Sequence, residues 1–429
     1  MTQTNYTKKI LNIEDENVYF YENCLEIQEI KGIKTKIFHG YLTYTPEICP
    51  KCGCVNNGPN DIIKWDFKRN CKIKITKVCN YNTILLLDKQ RFYCKNCNKT
   101  FTASTNIVDF RKQISKDTHT SVVLDLMTKD TEKNIAKRNN ISTNSVNRIL
   151  DSISSDKYVR HNGHLPTSFG IDEFSATKDT ISKLAFIIIN QDSHNIFDIN
   201  NSRFSTDIYK YFSRYQRFEK NKVKYITLDL YKPYYTLMHK LFPNATLIPD
   251  RFHIVIQIRN ALDKTRINLC KKSNPNYNKL KKFWKLLLKN EDDLDKTTKK
   301  YSKNFNKEMS QYDIVQYLIS TNEILNYTYN LYQGIIKSID KRDKKKFLNI
   351  IHNVDYKKLN KCSKTAIKTF LNFENYIVNA FDYELSNGLI EGTNNLIKQV
   401  KHNACGYKKF SHLKSRIMLI KGLCNPLNA

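Results

Sequence analysis

TSFGIDEFSA (residues 167–176), KLAFIIIN (183–190) and HNIFDI (194–199) follow one another with short polar breaks. Each run is short, apolar and rich in Ile and Phe, the pattern of a β-strand. Downstream, STDIYKYFSRYQRF (205–218) has helical periodicity, KYITLDL (224–230) reads as a strand, YYTLMHKLF (234–242) as a helix and ATLIPD (245–250) as another strand. This alternation predicts an α/β sheet with helices packed on its faces. From residue 251 to about 380 the chain is rich in Lys and Tyr and lacks strand-like alternation, which predicts a mostly helical segment. Residues 381–429 read as two helices joined by a turn.

Acids sit at the ends of the apolar runs. Asp172 closes the apolar part of Phe169-Gly170-Ile171, and Asp229 ends Tyr225-Ile226-Thr227-Leu228. An acid that closes a strand lies at the sheet edge where α/β sites form. Glu391 opens a helix after the turn Ser386-Asn387-Gly388. Side chains from two strands and a helix can converge on one cleft. Converging carboxylates repel unless cations lie between them, and Mg²⁺ takes oxygen ligands. Two such ions can activate an attacking oxygen and stabilise a leaving one. The bland alternative is that each acid is a cap or a solvated residue. Glu173 rivals Asp172, although strand alternation sends the two to opposite faces.

Along the last helix Glu391, Asn394 or Asn395, Lys398, and Lys401 or His402 recur at three- and four-residue steps, on one face. An acid followed by amides and ammoniums suits a helix laid along a DNA backbone; a solvated basic face is the other reading. In Asp250-Arg251-Phe252-His253 the histidine could touch DNA or steady the site, or be purely structural.

Upstream lie two smaller modules. Cys49-Pro-Lys-Cys52 and Cys94-Lys-Asn-Cys97 are two C-x-x-C knuckles, and most of the twelve cysteines fall between Cys24 and Cys97. Two knuckles supply a tetrahedral four-thiolate shell that suits one structural Zn²⁺; Cys54, Cys71 and Cys79 are rival ligands. Gly53 and Asn98, each directly after a pair, suit turns with positive φ. Between the knuckles, CKIKITKVCN (71–80) and NTILLLDK (82–89) read as strands. Next, THTSVVLDLMTKD (118–130), EKNIAKRNN (132–140) and NSVNRILDSI (144–153) have helical patterns, with Ser142 or Thr143 as N-cap of the last. Ala136 is small where two helices would cross. This fits a helix-turn-helix whose Ser145, Asn147 and Arg148 face a DNA major groove; an ordinary helical hairpin gives the same pattern.

The whole chain, of 429 residues, carries a formal net charge of +30. A polyanionic partner is the natural reading, because each neutralised phosphate releases a counterion; an AT-rich coding bias toward Lys, Asn, Ile and Tyr is the alternative. Hydrophobic residues make up 40% and aromatics 12%, a globular composition. No apolar run is long enough to span a membrane, and the first residues lack the apolar core of a secretory signal. The expected location is therefore cytoplasmic, in association with the nucleoid, with no membrane partner.

The order of these features resembles the insertion-sequence transposases of the ISL-three type: two cysteine knuckles, a helix-turn-helix, Gly-Ile-Asp172-Glu-Phe, Asp229-Leu-Tyr-Lys-Pro-Tyr, Asp250-Arg-Phe-His253, and Asn387-Gly-Leu-Ile-Glu391-Gly-Thr-Asn394-Asn-Leu-Ile-Lys398. The resemblance runs from about Cys49 to Leu423. It implies a DDE transposase with an RNase H-like core, a helical insertion in that core, and Asp172, Asp229 and Glu391 as the triad that holds two Mg²⁺ or Mn²⁺ ions. It implies as partners double-stranded DNA, namely the element's terminal inverted repeats and the target, and a homodimer on DNA. His253, Asn394, Lys398 and Lys401 are expected to contact DNA along with Ser145, Asn147 and Arg148. The expected organisation is a multidomain α/β protein: a lead-in (1–45), a zinc-ribbon-like module (46–110), the helix-turn-helix (115–160), the first part of the core (165–250), the helical insertion (251–380) and the catalytic helix with the tail of the core (381–429). Competing functions are a zinc-dependent, sequence-specific DNA-binding regulator derived from a transposase, an RNase H-like nuclease that cuts without joining, and a zinc-bearing RNA-binding protein.

Overall fold

A computed structural model describes residues 3–58, 60–156, 163–385 and 387–423. Ser386 of the expected turn, residues 1–2 of the lead-in, and the segment ends 157–160 and 424–429 lie outside these. The chain divides into two compact units. The first comprises residues up to Val159, Thr177–Asp179 and everything from Leu396; the second comprises Arg160–Ala176 and Thr180–Asn395.

The first unit opens with helix α1 (Gln3–Leu11) and a five-stranded sheet: β1 (Val18–Ile30), β2 (Ile33–Leu42), β3 (Ile62–Val78), β4 (Tyr81–Cys94) and β5 (Lys99–Thr102). The order is β1-β2-β4-β3, with β5 also paired to β4. The segment read as a lead-in is thus a helix and a long hairpin of this sheet. Its polar-aromatic mixture hid alternation: Val18, Phe20 and Leu42 are buried, whereas Tyr19 and Tyr21 are exposed. The β3–β4 connection turns at Cys79 and Asn80, both with positive φ. Three helices follow: α2 (Lys116–Leu126), α3 (Glu132–Arg138) and α4 (Thr143–Asp156). Ser142 caps α4 by accepting the Ser145 N–H at 3.1 Å. Ile135, Ala136, Val146, Ile149 and Leu150 are buried in one cluster, so the apolar faces read from the sequence meet each other.

The second unit is built on the sheet β6 (Ser168–Ser175), β7 (Leu184–Asn190), β8 (Asn195–Asn200), β9 (Tyr225–Leu228) and β10 (Thr246–Pro249). Its order is β10-β9-β6-β7-β8; β6, β7 and β8 are antiparallel neighbours, and β6, β9 and β10 are parallel. Ala185 to Ile189 of β7 are all buried, as expected of a strand covered on both faces. Between the strands lie α5 (Ser205–Ser213), α6 (Arg217–Lys222) and α7 (Lys232–Leu241). After β10, Asp250 accepts the Phe252 N–H at 3.3 Å and caps α8 (Arg251–Leu269). The stretch that follows is α9 (Tyr277–Lys282), α10 (Trp284–Leu287), α11 (Gln311–Ser320), α12 (Glu323–Asp340), α13 (Lys344–His352), α14 (Lys361–Asn372) and α15 (Glu374–Asp382). A small hairpin, Lys300–Ser302 with Lys307–Met309, interrupts it.

Helix α16 (Gly388–Asn403) begins in the second unit, and α17 (Phe410–Ile420) belongs to the first. Leu419 joins the core of α2–α4. Arg416, fully buried, donates to Leu126 O, Thr128 O and Asp130 O at the end of α2. Helix α17 therefore packs with the α2–α4 helices, whereas the sequence pattern had grouped it with the core. Among the described residues, no helix is long and apolar enough to cross a membrane.

Candidate active site

Register aligns the acids of the second sheet. Gly170 of β6 faces Thr227 of β9, the last pair of that ladder, and Asp172 and Asp229 each stand two residues beyond it. Leu228 faces Pro249 of β10, so Asp250 is next in the row. Asp172 lies within β6, paired with Ile187, rather than at a strand end; the strand runs on to Ser175 because Glu173 and Phe174 still pair with β7. The ligand atoms of Asp172, Asp229 and His253 all lie within 4.8 Å of one another.

Each member of this group is held. Asp172 Oδ2 accepts the Asn394 amide at 2.6 Å and Oδ1 accepts the Glu173 N–H at 2.6 Å. His253 Nε2 is 2.9 Å from Asp229 Oδ1. Asp250 is buried at the N-cap of α8; its carboxyl is raised above the ordinary range by burial, against the opposing charge of His253. The Asp172 carboxyl is pushed up to about 6, first by burial and then by the charge of Asp229. Burial works against protonation of His253, but its hydrogen bond to Asp229 and that carboxylate's charge outweigh burial and raise the imidazole above its usual range. Crowded negative charge of this kind fits a cation. So does the Asn394 Oδ1 atom, which is buried beside Asp172 with no hydrogen-bond donor. Oxygen donors with one imidazole suit Mg²⁺ or Mn²⁺.

Glu173 points away from this group. It accepts from the Tyr234 hydroxyl and pairs with Arg203 at 3.2 Å. Glu391 is exposed in the first turn of α16 and is not among the clustered ligands. What anchors its helix is a buried polar chain: Ser168 Oγ donates to Gln191 Oε1 at 2.8 Å, Gln191 Nε2 to Thr227 Oγ1 at 2.6 Å, and Thr227 Oγ1 to Asn387 Oδ1. The Asn387 carbonyl accepts the Glu391 N–H at 3.0 Å. Gly170 makes room for it: a Cβ there would lie 2.7 Å from Thr227 Oγ1 and 2.9 Å from Asn387 Oδ1. None of this chain was read from the sequence. Its one local signal was a glycine inside an apolar strand, which marks a close approach.

In the first unit, Cys49, Cys52, Cys94 and Cys97 form a second group of possible ligands. Cys49 Sγ–Cys97 Sγ and Cys52 Sγ–Cys94 Sγ are each 3.8 Å. Zinc–sulfur bonds of ~2.3 Å give a tetrahedron with edges of about 3.8 Å, so the cluster fits Zn²⁺. Gly53 and Asn98 take φ of 73° and 55°, which turns each knuckle. The rivals Cys54, Cys71 and Cys79 stay outside the group.

The residues expected at DNA are scattered. Arg148 is exposed on α4, Asn147 half-buried, and the Ser145 hydroxyl engages that of Ser142 at 2.9 Å. Lys398 is exposed on α16 and Lys401 half-buried. His253 and Asn394, by contrast, turn inward onto Asp229 and Asp172.

A curated relative described as an ATP-dependent protease, from Lactococcus lactis subsp. lactis, is 34% identical over 114 residues, which is 27% of this chain. The chain spans about a third (36%) of that relative's length, and its own sequence has no G-x-x-x-x-G-K-S/T phosphate loop. A family model described as a transposase matches residues 169–417, more than half of the chain and both clustered acids. The chain belongs to the DDE transposase family of the ISL-three type.

Proposed function

We propose that this protein is the transposase of an insertion sequence, which binds the element's terminal repeats and catalyses metal-dependent cleavage and transfer of DNA strands. The observation that carries the reading is the convergence of Asp172 and Asp229 across two parallel strands in a chain of a transposase family. An antiparallel meander β6-β7-β8 with β9 and β10 added in parallel beside β6 supports an RNase H-like core. The helices from α8 to α15 then form an insertion before α16.

Asp172, Asp229 and Glu391 would hold two Mg²⁺ or Mn²⁺ ions, which supply activation of the attacking oxygen and stabilisation of the leaving one. The protein's own residues set the geometry. Asn394 fixes the Asp172 carboxylate, and His253 fixes Asp229. The Asn387–Thr227 link keeps the start of α16 on the sheet, with Glu391 three residues before Asn394 on the same helix face. Two in-line displacements follow. Water attacks a phosphodiester at the element end and frees a 3′-OH; that 3′-OH attacks target DNA and expels another 3′-oxygen.

Helices α3 and α4 with their intervening turn would act as a helix-turn-helix, presenting Ser145, Asn147 and Arg148 to a major groove. Lys398 and Lys401 would follow the backbone. The cysteine cluster would hold one structural Zn²⁺. Two element ends call for two active sites, hence a homodimer on DNA, working in the cytoplasm at the nucleoid.

The test is strand cleavage of duplexes carrying the element ends, in Mg²⁺ or Mn²⁺, by the wild type and by Asp172→Ala, Asp229→Ala and Glu391→Ala. Each variant is expected to lose cleavage while still binding the duplex. Full cleavage by one variant removes that residue from the triad. Sequence-specific binding without cleavage by the wild type leaves a DNA-binding regulator. Cleavage without joining of pre-cut ends leaves a nuclease.

A further inference from the structure

Trp65 is 60% exposed, although an indole is among the costliest side chains to leave in water. Its position is built by a β-bulge. Lys64 of β3 faces Phe92 of β4 and Phe67 faces Gln90, so Trp65 and Asp66 together oppose Arg91. Such a bulge re-aims a side chain. Here it brings the indole against Tyr93, with ring centroids 5.3 Å apart and planes tilted by 34°. Tyr93 is itself fixed: its hydroxyl donates to Asn98 Oδ1 at 2.9 Å, and Asn98 is the turn residue of the second cysteine knuckle. Trp65 therefore stands on the edge strand β3 against Tyr93 of the interior strand β4, beside the thiolate cluster. Exposed cations nearby are Lys68, which pairs with Lys89 two positions from Arg91, and Lys95 of the knuckle, with Arg91 itself opposite the bulge; Lys64 and Lys99 pair with Phe92 and Cys94, in register with the other face of the sheet. The nearby acids are engaged locally: Asp66 accepts the Phe67 N–H at 2.6 Å and Asp61 the Gly58 N–H at 3.0 Å.

We infer that Trp65 and Tyr93 form a stacking platform for the unpaired bases of a single DNA strand. An exposed indole backed by a half-buried tyrosine, with cationic side chains nearby, offers what a single strand needs: π-faces for the bases and cations for the phosphates. Paired bases hide their faces in the duplex stack, so the platform selects unpaired nucleotides. These cations also argue for a polyanion over a second copy of this chain, because two like-charged faces repel. The inference rests on the chain's being a DNA-processing protein and adds a second contact to it, apart from α4.

The chain has two tryptophans, Trp65 and Trp284, so Trp284→Phe leaves Trp65 as the sole indole reporter in the full-length, zinc-loaded protein. Titration with oligothymidylate of about 12 nucleotides, within the usual footprint of such sites, is expected to quench Trp65 saturably; a blunt duplex of equal phosphate number is not. In a separate anisotropy assay, Trp65→Ala and Tyr93→Ala are expected to weaken single-strand binding about 10-fold or more, with Trp65→Phe retaining most of it. Unchanged circular dichroism and zinc content identify variants that fold. Single-strand affinity unaffected by Trp65→Ala overturns the inference and leaves the proposed function standing if the duplex is still bound. A shift of Trp65→Ala from dimer to monomer with unaltered DNA affinity also overturns it, assigning the face to a second copy. Failure of the wild type to bind DNA in any form removes both readings.

Discussion

Asp172 carries a carboxylate into a largely buried position beside a second one, and this has a thermodynamic consequence. Its folded-state pKa, about 6, lies above the ~3.9 of an unfolded chain. The folded state thus gains from the protonated form: the contribution is complete below about pH 4 and is lost as pH rises through about 6. At pH 7 without divalent cations, Asp172→Asn should stabilise the protein by about 1–2 kcal/mol, somewhat less than the full shift converts to because the new amide opposes one of two donors. Denaturant unfolding would show it, and a destabilised variant would refute the account. Activity should run in the opposite sense, falling as pH drops through about 6, because only the ionised carboxylate attracts a cation. Asn394 lowers the Asp172 pKa through its amide. Asn394→Ala should therefore move the acid limb of the pH–rate profile upward and weaken Mn²⁺ binding about 10- to 100-fold, as titration calorimetry would report.

Secondary elements are placed by a few buried contacts that local patterns do not announce. The Gly170→Ala methyl would press on Thr227, Ile390 and Asn387 at once. It should cost roughly 1–3 kcal/mol, as overpacking does, and depress cleavage by displacing the start of α16 and with it Glu391. An unchanged melting temperature and rate would show that the helix has room to shift. In the first unit, Arg416→Met should destabilise the α2–α4 helices by about 2–4 kcal/mol, because three carbonyls at the end of α2 lose their donor. Duplex binding would fall with it. Element identity was nonetheless legible: the apolar runs within 167–199, 224–230 and 245–250 are strands, the run 234–242 falls on helix α7, and Ser142 caps α4, since these follow from side-chain period and capping chemistry. The strands of residues 18–42 were masked because tyrosines fill exposed positions of the alternation and a register shift between Phe20 and Leu25 changes its phase.

Over the whole molecule, net charge and the four-cysteine cluster are the features with the widest reach. With a net charge of +30, duplex affinity should fall by about 10³-fold or more between 50 and 200 mM salt; a flat salt titration would mean that few phosphates are touched. On the proposal that the cysteine cluster holds Zn²⁺, a chelator, or Cys49→Ser, should release the knuckles and loosen the sheet that contains β4, since Cys94 ends that strand. Loss of protection of β3–β4 amides in hydrogen exchange would be the measure.

The amino-acid sequence by itself determined the modules: paired cysteines at knuckle spacing, an apolar alternation that makes a mixed sheet, helices with matched apolar faces, and acids placed on particular strands. These are local properties, written within a few turns or strands. Tertiary structure alone decided who meets whom. Sheet register set Asp172 beside Asp229, a contact across 222 residues put the Asn394 amide on Asp172, and one across 290 joined Arg416 to the end of α2. Such pairings arise from packing and strand order, which no local period encodes. For the same reason the spacing left open whether His253 touches DNA or steadies the site, whereas the fold sets it on Asp229 and Asn394 on Asp172.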